Sequence, residues 1–176
     1  MRMLTCGMLL LTACGGEKGE DTDPARSSPA DPWALERSYA WDGMSIRHPA
    51  GARVSRRDTA GTTQVEMTGL PCPNEGCALL VEIAADTSTS LSSAVQSQIE
   101  RGTWDGAEEG ECTPQPRRVA AAEMEVEESC SGLVSRTLYR LKDGRLAAIS
   151  YVVDAAVPAD SAVWSHLEGI ARSFTW

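Results

Sequence analysis

The sequence predicts an α+β fold, in which an antiparallel β-sheet is flanked by two main helices. Asp42-Gly43 and Asp143-Gly144 each stand between short segments rich in apolar residues. Asp-Gly supplies the positive φ values that a two-residue type I′ turn requires, so each pair indicates a β-hairpin. Two further segments carry apolar residues at helical spacing. Runs of strands interrupted by two helices favour an antiparallel α+β sheet over an alternating α/β fold.

The strands follow from β-branched and apolar residues and from the position of the turns. Thr62–Thr68 and Ala78–Ala85 are rich in Val, Ile, Thr and Leu, the residues that favour strands. Met124 and Val126 alternate with acidic residues, a period of two that is typical of a strand with one solvated face. The predicted strands, in order, cover residues 39–41, 44–46, 62–68, 78–85, 123–127, 137–141 and 146–153.

Two helices complete the predicted domain. The first runs from about Leu91 to Gly102, with Ser90 as its N-cap. The second runs from about Ser161 to Arg172 and is capped by Asp160. Each has an apolar stripe at helical spacing, so we expect each to pack one face on the sheet.

The N-terminus has the layout of a secretory signal, with Arg2 before an apolar run too short to span a bilayer. The run ends in Leu11-Thr12-Ala13-Cys14, which resembles the lipobox of bacterial lipoproteins. That resemblance implies that residues 1–13 are a cleaved signal peptide. It also implies that Cys14 carries thioether-linked diacylglycerol and further acylation, such as palmitate. Multiple acyl chains give stable membrane anchoring, and Gly15 favours the outer membrane if the cell has one.

Residues 14–32 are predicted to be a disordered acidic tether. Beyond Ala and the lipid-bearing Cys14, they contain no apolar residue, so they cannot bury enough surface to offset the entropy of ordering. Residues 33–176 then form the folded domain.

The six cysteines are assigned to three different roles. Cys6 is removed with the signal and Cys14 takes the lipid, which leaves Cys72, Cys77, Cys112 and Cys130 in an oxidising compartment. An even number there indicates disulfides. Three pairings are possible, and the simplest is Cys72–Cys77 with Cys112–Cys130. A four-cysteine zinc site is one alternative, but it usually uses two short pairs, and Cys112 and Cys130 have seventeen intervening residues. A redox-active pair is another, but its usual two intervening residues do not occur.

The beginning and end of the domain resemble a known family. Residues 41–49, Trp-Asp-Gly-Met-Ser-Ile-Arg-His-Pro, and the C-terminal Ile-Ala-Arg-Ser-Phe-Thr-Trp are similar to the first hairpin and the final helix of PsbP-like and Mog-type α/β/α sandwich domains. His48 stands where the family more often has Tyr or Phe, and the four remaining cysteines are additions. The resemblance implies a role in binding, assembly or accessory tasks, with no shared catalytic residues.

Most classes of chemistry are not indicated by the residues. The formal net charge of −9 argues against nucleic-acid binding, which requires a basic face. Two histidines, His48 and His166, are too few for a multi-histidine metal centre, and no nucleophile or phosphate-binding motif accompanies them. The tryptophans at positions 33, 41, 104, 164 and 176 are expected to be core anchors, with Trp33 and Trp104 the most exposed.

An acidic segment between residues 105 and 128 is the densest charge feature. Its acids flank Pro114 and Pro116, which indicate a Pro-rich turn, and the nearest bases are Arg117 and Arg118. We interpret the segment as a solvated sheet face and loop. A divalent-cation site or docking of a basic partner is the functional alternative. The acids are Asp105, Glu108, Glu109, Glu111, Glu123, Glu125, Glu127 and Glu128.

The sequence therefore predicts a non-enzymatic, lipid-anchored cell-envelope protein that binds a protein partner or assists assembly. No catalytic residue, cofactor or metal is assigned. A lipoprotein that binds a small ligand or a divalent metal is the alternative, and a hydrolase using His48 or His166 is a more distant one.

Overall fold

A computed structural model describes residues 30–73, 76–101, 113–130 and 132–176. Side chains are described throughout these ranges except at Thr113 and Cys130. Residues 31–176 form one compact unit. The predicted signal peptide, Cys14 and nearly all of the tether lie outside the described residues. The elements are β1 Arg37–Trp41, β2 Met44–His48, β3 Arg53–Thr59, β4 Thr62–Thr68, β5 Cys77–Ala85, α1 Leu91–Arg101, β6 Thr113–Ala120, β7 Glu123–Cys130, β8 Leu133–Lys142, β9 Arg145–Asp154 and α2 Ala162–Arg172.

Seven strands form one antiparallel sheet, in the order β3-β4-β5-β9-β8-β7-β6. Strands β1 and β2 form a separate hairpin. That hairpin is tied to the end of the chain, because Ser45 and Thr175 exchange two backbone hydrogen bonds of 3.0 and 2.8 Å. The predicted α+β architecture is confirmed.

Both predicted Asp-Gly hairpins are present. Asp42 and Gly43 have φ values of 46° and 79°, and Asp143 and Gly144 have values of 50° and 70°. Two consecutive positive φ values define the type I′ turn, whose twist matches that of the flanking strands. The turn residues thus explain why β1 pairs with β2 and β8 with β9.

The larger core lies between one face of the sheet and helix α2. Val81 on β5 and Ile149 on β9 are direct cross-strand partners, and both are fully buried. Leu167 and Ile170 of α2 pack on this face together with Trp41 and Ile46 of the β1–β2 hairpin. The helix and the hairpin therefore cover the same side of the sheet.

The smaller core lies on the opposite face, beneath helix α1. Leu91, Ala94 and Val95 of α1 pack against Val126 and Tyr139 of β7 and β8. Ser90 accepts a hydrogen bond of 3.2 Å from the backbone of Ser93, which confirms the predicted N-cap. With one helix on each face, the molecule is an α/β/α sandwich.

Three local predictions are wrong. Pro114 and Pro116 lie in the edge strand β6 instead of a turn, a position that suits residues without a backbone N–H. The opposite edge strand, β3, is missing from the predicted strands because six of its seven residues are exposed and give no alternation. Helix α2 is capped by Ser161, whose hydroxyl accepts a hydrogen bond from Val163 N, and not by Asp160.

Candidate functional site: a charged cleft on strands β6 to β8

A cleft of about 490 Å³ opens on the α2 side of the sheet, near the β6 edge. The residues lining this charged cleft are Gln115, Pro116, Arg117, Glu125, Glu127 and Arg136. Direct cross-strand partners in an antiparallel sheet point to the same face. The register pairs Gln115 with Glu127 and Glu127 with Arg136, and it pairs Arg117 with Glu125. The antiparallel pairing thus places opposite charges side by side on one surface.

The outer ion pair of the cleft joins Arg117 and Glu125. Arg117 Nη2 lies 2.7 Å from Glu125 Oε1. The two partners differ greatly in exposure, because the Arg117 side chain is 70% exposed and that of Glu125 only 7%. The carboxylate is therefore a shielded group whose counter-ion stands mostly in water.

The inner ion pair of the cleft joins Arg136 and Glu127. Its cation is held by more contacts than Arg117, the cation of the outer pair. Arg136 Nε donates to Glu127 Oε2 at 2.8 Å, and the guanidinium lies 4.6 Å from the ring centre of Trp164 on α2. Burial alone would lower the pKa of Arg136, but the hydrogen bond and the charge of Glu127 outweigh it and raise that pKa. A cation placed over an indole face and beside a carboxylate is fixed from two sides.

A second charged group lies beside the cleft and connects the sheet to the end of α2. Glu123 accepts hydrogen bonds from Arg140 Nε at 2.8 Å and Arg172 Nη1 at 3.0 Å. Arg172 Nε also bonds Glu168 at 2.7 Å, and this partnership is the first cause of its raised pKa. Arg140 in turn donates to the carbonyl of Phe174. These bonds hold the C-terminus of α2 to β7 and β8.

The predicted solvated acidic face on β7 is wrong. Glu125 is 6% exposed and Glu128, on the opposite face, is 7% exposed. Glu123, Glu125 and Glu127 all turn toward the α2 side and pair with arginines. A carboxylate can be taken out of water when a guanidinium provides charge and hydrogen bonds in return.

Sequence reasoning missed the arginines that complete this arrangement. Arg136 and Arg140 stand four residues apart on β8, so they share a face, and Arg172 comes from α2. The matching period of two on β7 and β8 is a signal that could have indicated complementary charges. Using this signal requires knowledge of the strand register, which pairs Glu127 with Arg136.

The two histidines do not line the cleft. His48 is 6% exposed, and its Nδ1 donates to the carbonyl of Pro49 at 2.9 Å. His166 on α2 stacks on Trp33, with ring centres 4.9 Å apart and planes inclined by 4°. Among the residues described by the structure, neither imidazole is hydrogen-bonded to a hydroxyl or a carboxylate.

The tryptophans are mostly core residues, as predicted. Trp41 and Trp164 are 6% and 5% exposed, while Trp33 and Trp176 are half-buried. Trp104 and the acids from Asp105 to Glu111 lie outside the described residues.

Cys72 and Cys77 form a disulfide between the end of β4 and the start of β5, with Cα atoms 6.0 Å apart. The bridge pins the tip of this hairpin, as predicted. Cys112 lies outside the described residues, and the pairing of Cys112 with Cys130 stays a prediction.

Two further features of the described residues concern metals and membranes. Within residues 30–73, 76–101, 113–130 and 132–176, no group of three or more His, Cys, Asp or Glu side chains is arranged to hold a metal ion. Neither helix in this part of the chain is long and apolar enough to cross a bilayer.

The sheet with one helix on each face defines a PsbP-like α/β/α sandwich. The solution structure of cyanobacterial PsbP (CyanoP) from Synechocystis sp. PCC 6803 is similar to this chain, with a TM-score of 0.53 and 16% sequence identity. The similarity covers 79% of this chain and 91% of that one. No protein-family model matches the chain, and no curated protein matches it in sequence. The predicted PsbP-like fold is therefore confirmed at the level of structure.

Proposed function

We propose that this chain is a lipid-anchored module of the cell envelope that binds a protein partner or assists assembly, without catalysis of its own. The charged cleft carries the proposal. Two carboxylates and two guanidinium groups line it, and charge-assisted hydrogen bonds to such groups give strong and directional recognition. The PsbP-like fold is consistent with a binding role of this kind.

The surroundings of the histidines support a role without catalysis. A general base needs a free ring nitrogen within hydrogen-bond reach of a reacting group. His48 is buried with Nδ1 on the Pro49 carbonyl, and His166 lies flat against Trp33. The Pro49 carbonyl occupies one ring nitrogen of His48, His166 packs on an aromatic ring, and neither histidine lines the charged cleft.

The anchor is proposed from the sequence Leu11-Thr12-Ala13-Cys14. Acylation of Cys14 would place the domain at a membrane surface on the tether of residues 14–32, with the outer membrane favoured in a cell that has two. A flexible tether of this length reaches roughly 20–25 Å. The domain would thus stay near the membrane and remain free to turn its cleft toward a partner.

Metabolic labelling with a clickable palmitate analogue tests the anchor. The full chain should take up the label and fractionate with membranes, and Cys14→Ser should lose both properties. Cys6→Ser is the matched control, because it removes a thiol of the signal and should leave labelling unchanged. Equal labelling of the parent chain and Cys14→Ser would contradict the anchor.

Site-specific photo-crosslinking in cells tests the binding role. A crosslinking residue at Gln115 probes the cleft, and one at Glu66, exposed on β4, serves as the control. We expect a discrete adduct from position 115 that is absent from position 66. The binding role fails if position 115 gives no adduct, or if both positions give the same one.

A further inference from the structure

The charged cleft contains one carboxylate whose partner cation can be replaced by another cation. Glu125 is shielded from water, and its cation is Arg117 on the edge strand β6. Because 70% of the Arg117 side chain is exposed, releasing it to water changes its solvation little. Glu125 needs a cation at this position, because a shielded carboxylate left without a partner is costly, so Arg117 can leave only when another cation takes its place.

The rest of the cleft cannot rearrange in the same way. Arg136 is held by Glu127 and by the face of Trp164, and its side chain is 23% exposed. The cleft thus combines a fixed cation at its inner end with a replaceable cation at its outer end. An incoming group that competes with Arg117 for Glu125 must itself be cationic.

The edge strand β6 favours binding through side chains over pairing with the backbone of another strand. Pro114 and Pro116 remove two backbone N–H donors from β6, which makes strand addition at this edge unfavourable. The chain as a whole carries a net charge of −9, which attracts basic partners over a distance. Both features favour a basic segment that inserts one side chain into the cleft.

We infer that the charged cleft binds an arginine or lysine side chain of a basic partner protein, which displaces Arg117 from Glu125. The inference rests on the proposed binding function and adds the chemistry of the partner. The favourable free energy of binding comes from a charge-assisted hydrogen bond to a shielded carboxylate, which is stronger than the same bond in water. Arg117 acts as an internal competitor.

Binding is measured by NMR titration of the full chain in detergent micelles. The probe is a capped pentapeptide with a central arginine between glycines, and its control carries citrulline, which has the same shape without the charge. The arginine peptide should shift the backbone amides of Arg117, Glu125 and Glu127, and the citrulline peptide should not. Equal binding of the two peptides would overturn the inference, as would tighter binding of putrescine, a free diamine.

Substitution of Arg117 tests the inference through the direction in which the affinity for the arginine peptide changes. Arg117→Ala should raise the affinity for the arginine peptide about two- to fivefold, because the ion pair of Glu125 with the mostly exposed Arg117 no longer competes. Arg118→Ala is the matched control: it removes the same charge from the next position of β6, where Arg118 bonds Ser92 on α1, and should change affinity less than twofold. A lower affinity in Arg117→Ala would mean that the cleft binds anions, and the inference would be wrong.

Substitution of Glu125 tests the carboxylate itself. Glu125→Gln should lower the affinity at least about tenfold, because a hydrogen bond to a charged group is lost. Glu66→Gln removes an acid on β4 outside the cleft and should have no such effect. Arg117→Gln keeps a neutral donor beside Glu125 and should give a gain smaller than that of Arg117→Ala. Circular dichroism of each variant separates loss of binding from loss of folding.

Failure of this inference leaves the proposed binding function testable on its own. If the peptide does not bind but position 115 still crosslinks in cells, the cleft binds a partner of different chemistry. If neither occurs, both proposals fail.

Discussion

Two buried tyrosines on opposite faces of the sheet have different surroundings. Tyr139 and Tyr151 are each 1% exposed, and burial is the first cause of the raised pKa of both phenols. A hydrogen bond with Thr137 opposes the shift at Tyr139. Arg136 opposes the shift at Tyr151 through its charge and its guanidinium N–H groups, although no group in the described part of the chain reaches the Tyr151 hydroxyl in full hydrogen-bonding geometry. The two phenols thus have different polar neighbours, a neutral hydroxyl at Tyr139 and a guanidinium at Tyr151.

Removing the two hydroxyls should have different effects on stability. Tyr151→Phe should leave the free energy of unfolding unchanged or raise it by up to about 1 kcal/mol, since a buried unsatisfied hydroxyl is itself costly. Tyr139→Phe, the matched control, should lower it by about 1 kcal/mol. Urea unfolding followed by circular dichroism measures both. A loss in Tyr151→Phe as large as in Tyr139→Phe would show that the hydroxyl of Tyr151 has a stabilising partner.

The charged cleft shows how far the sequence could predict single residues. Alternation along β7 correctly predicts that Glu123, Glu125 and Glu127 share a face. It does not predict whether that face is wet, because this depends on Arg136 and the other arginines supplied by β8 and α2. Pairing across strands depends on register, and register is not a local property.

At the scale of elements, the sequence predicts those strands and helices whose formation depends on nearby residues. The Asp-Gly turns gave both hairpins, and apolar spacing gave both helices to within one residue at the ends. The two edge strands β3 and β6 were missed or taken as a turn, because an edge strand has no buried alternation and tolerates Pro. The cap of α2 was misplaced by one residue between Asp160 and Ser161, which both favour that position.

The observed cap of α2 gives a prediction at this scale. Ser161→Ala should lower the free energy of unfolding by about 1 kcal/mol, because the hydroxyl satisfies the N–H of Val163 at the start of the helix. Ser165→Ala is the matched control: its hydroxyl bonds the carbonyl of Ala162 within the helix, and its loss should be close to neutral. Thermal unfolding distinguishes the two. Equal losses would assign the N-cap to another residue.

At the scale of the whole molecule, the Cys72–Cys77 disulfide joins segments that the sheet already holds. The Cys72–Cys77 bridge closes a short loop, so the chain-entropy model gives it roughly 2 kcal/mol. The Cys112–Cys130 bridge would close a longer loop around β6 and β7, the two strands that bear most of the charged cleft.

Mass spectrometry of non-reduced digests should recover two bridged peptide pairs, Cys72 with Cys77 and Cys112 with Cys130. The double variant Cys72→Ser/Cys77→Ser should retain its fold and lose roughly 2 kcal/mol in the free energy of unfolding. Free thiols at Cys112 and Cys130, or a bridge from either of them to Cys72, would contradict the proposed pairing.

Both cores should respond to alkaline pH through their tyrosines. Tyr139 lies in the core under α1 and Tyr151 in the core under α2, and each pKa is raised above its ordinary value of 10.0. A raised folded-state pKa means that the native state binds the proton more tightly than the unfolded state. The resulting stability is complete below pH 10 and falls as the pH rises above it, because the unfolded chain then releases protons that the native chain retains. Absorbance at about 295 nm should therefore show Tyr139 and Tyr151 losing their protons only when the protein unfolds. Tyr139→Phe and Tyr151→Phe should each make the free energy of unfolding less dependent on pH above 10. Titration of the two buried phenols near pH 10 with the circular dichroism signal intact would mean that the two cores admit the phenolate.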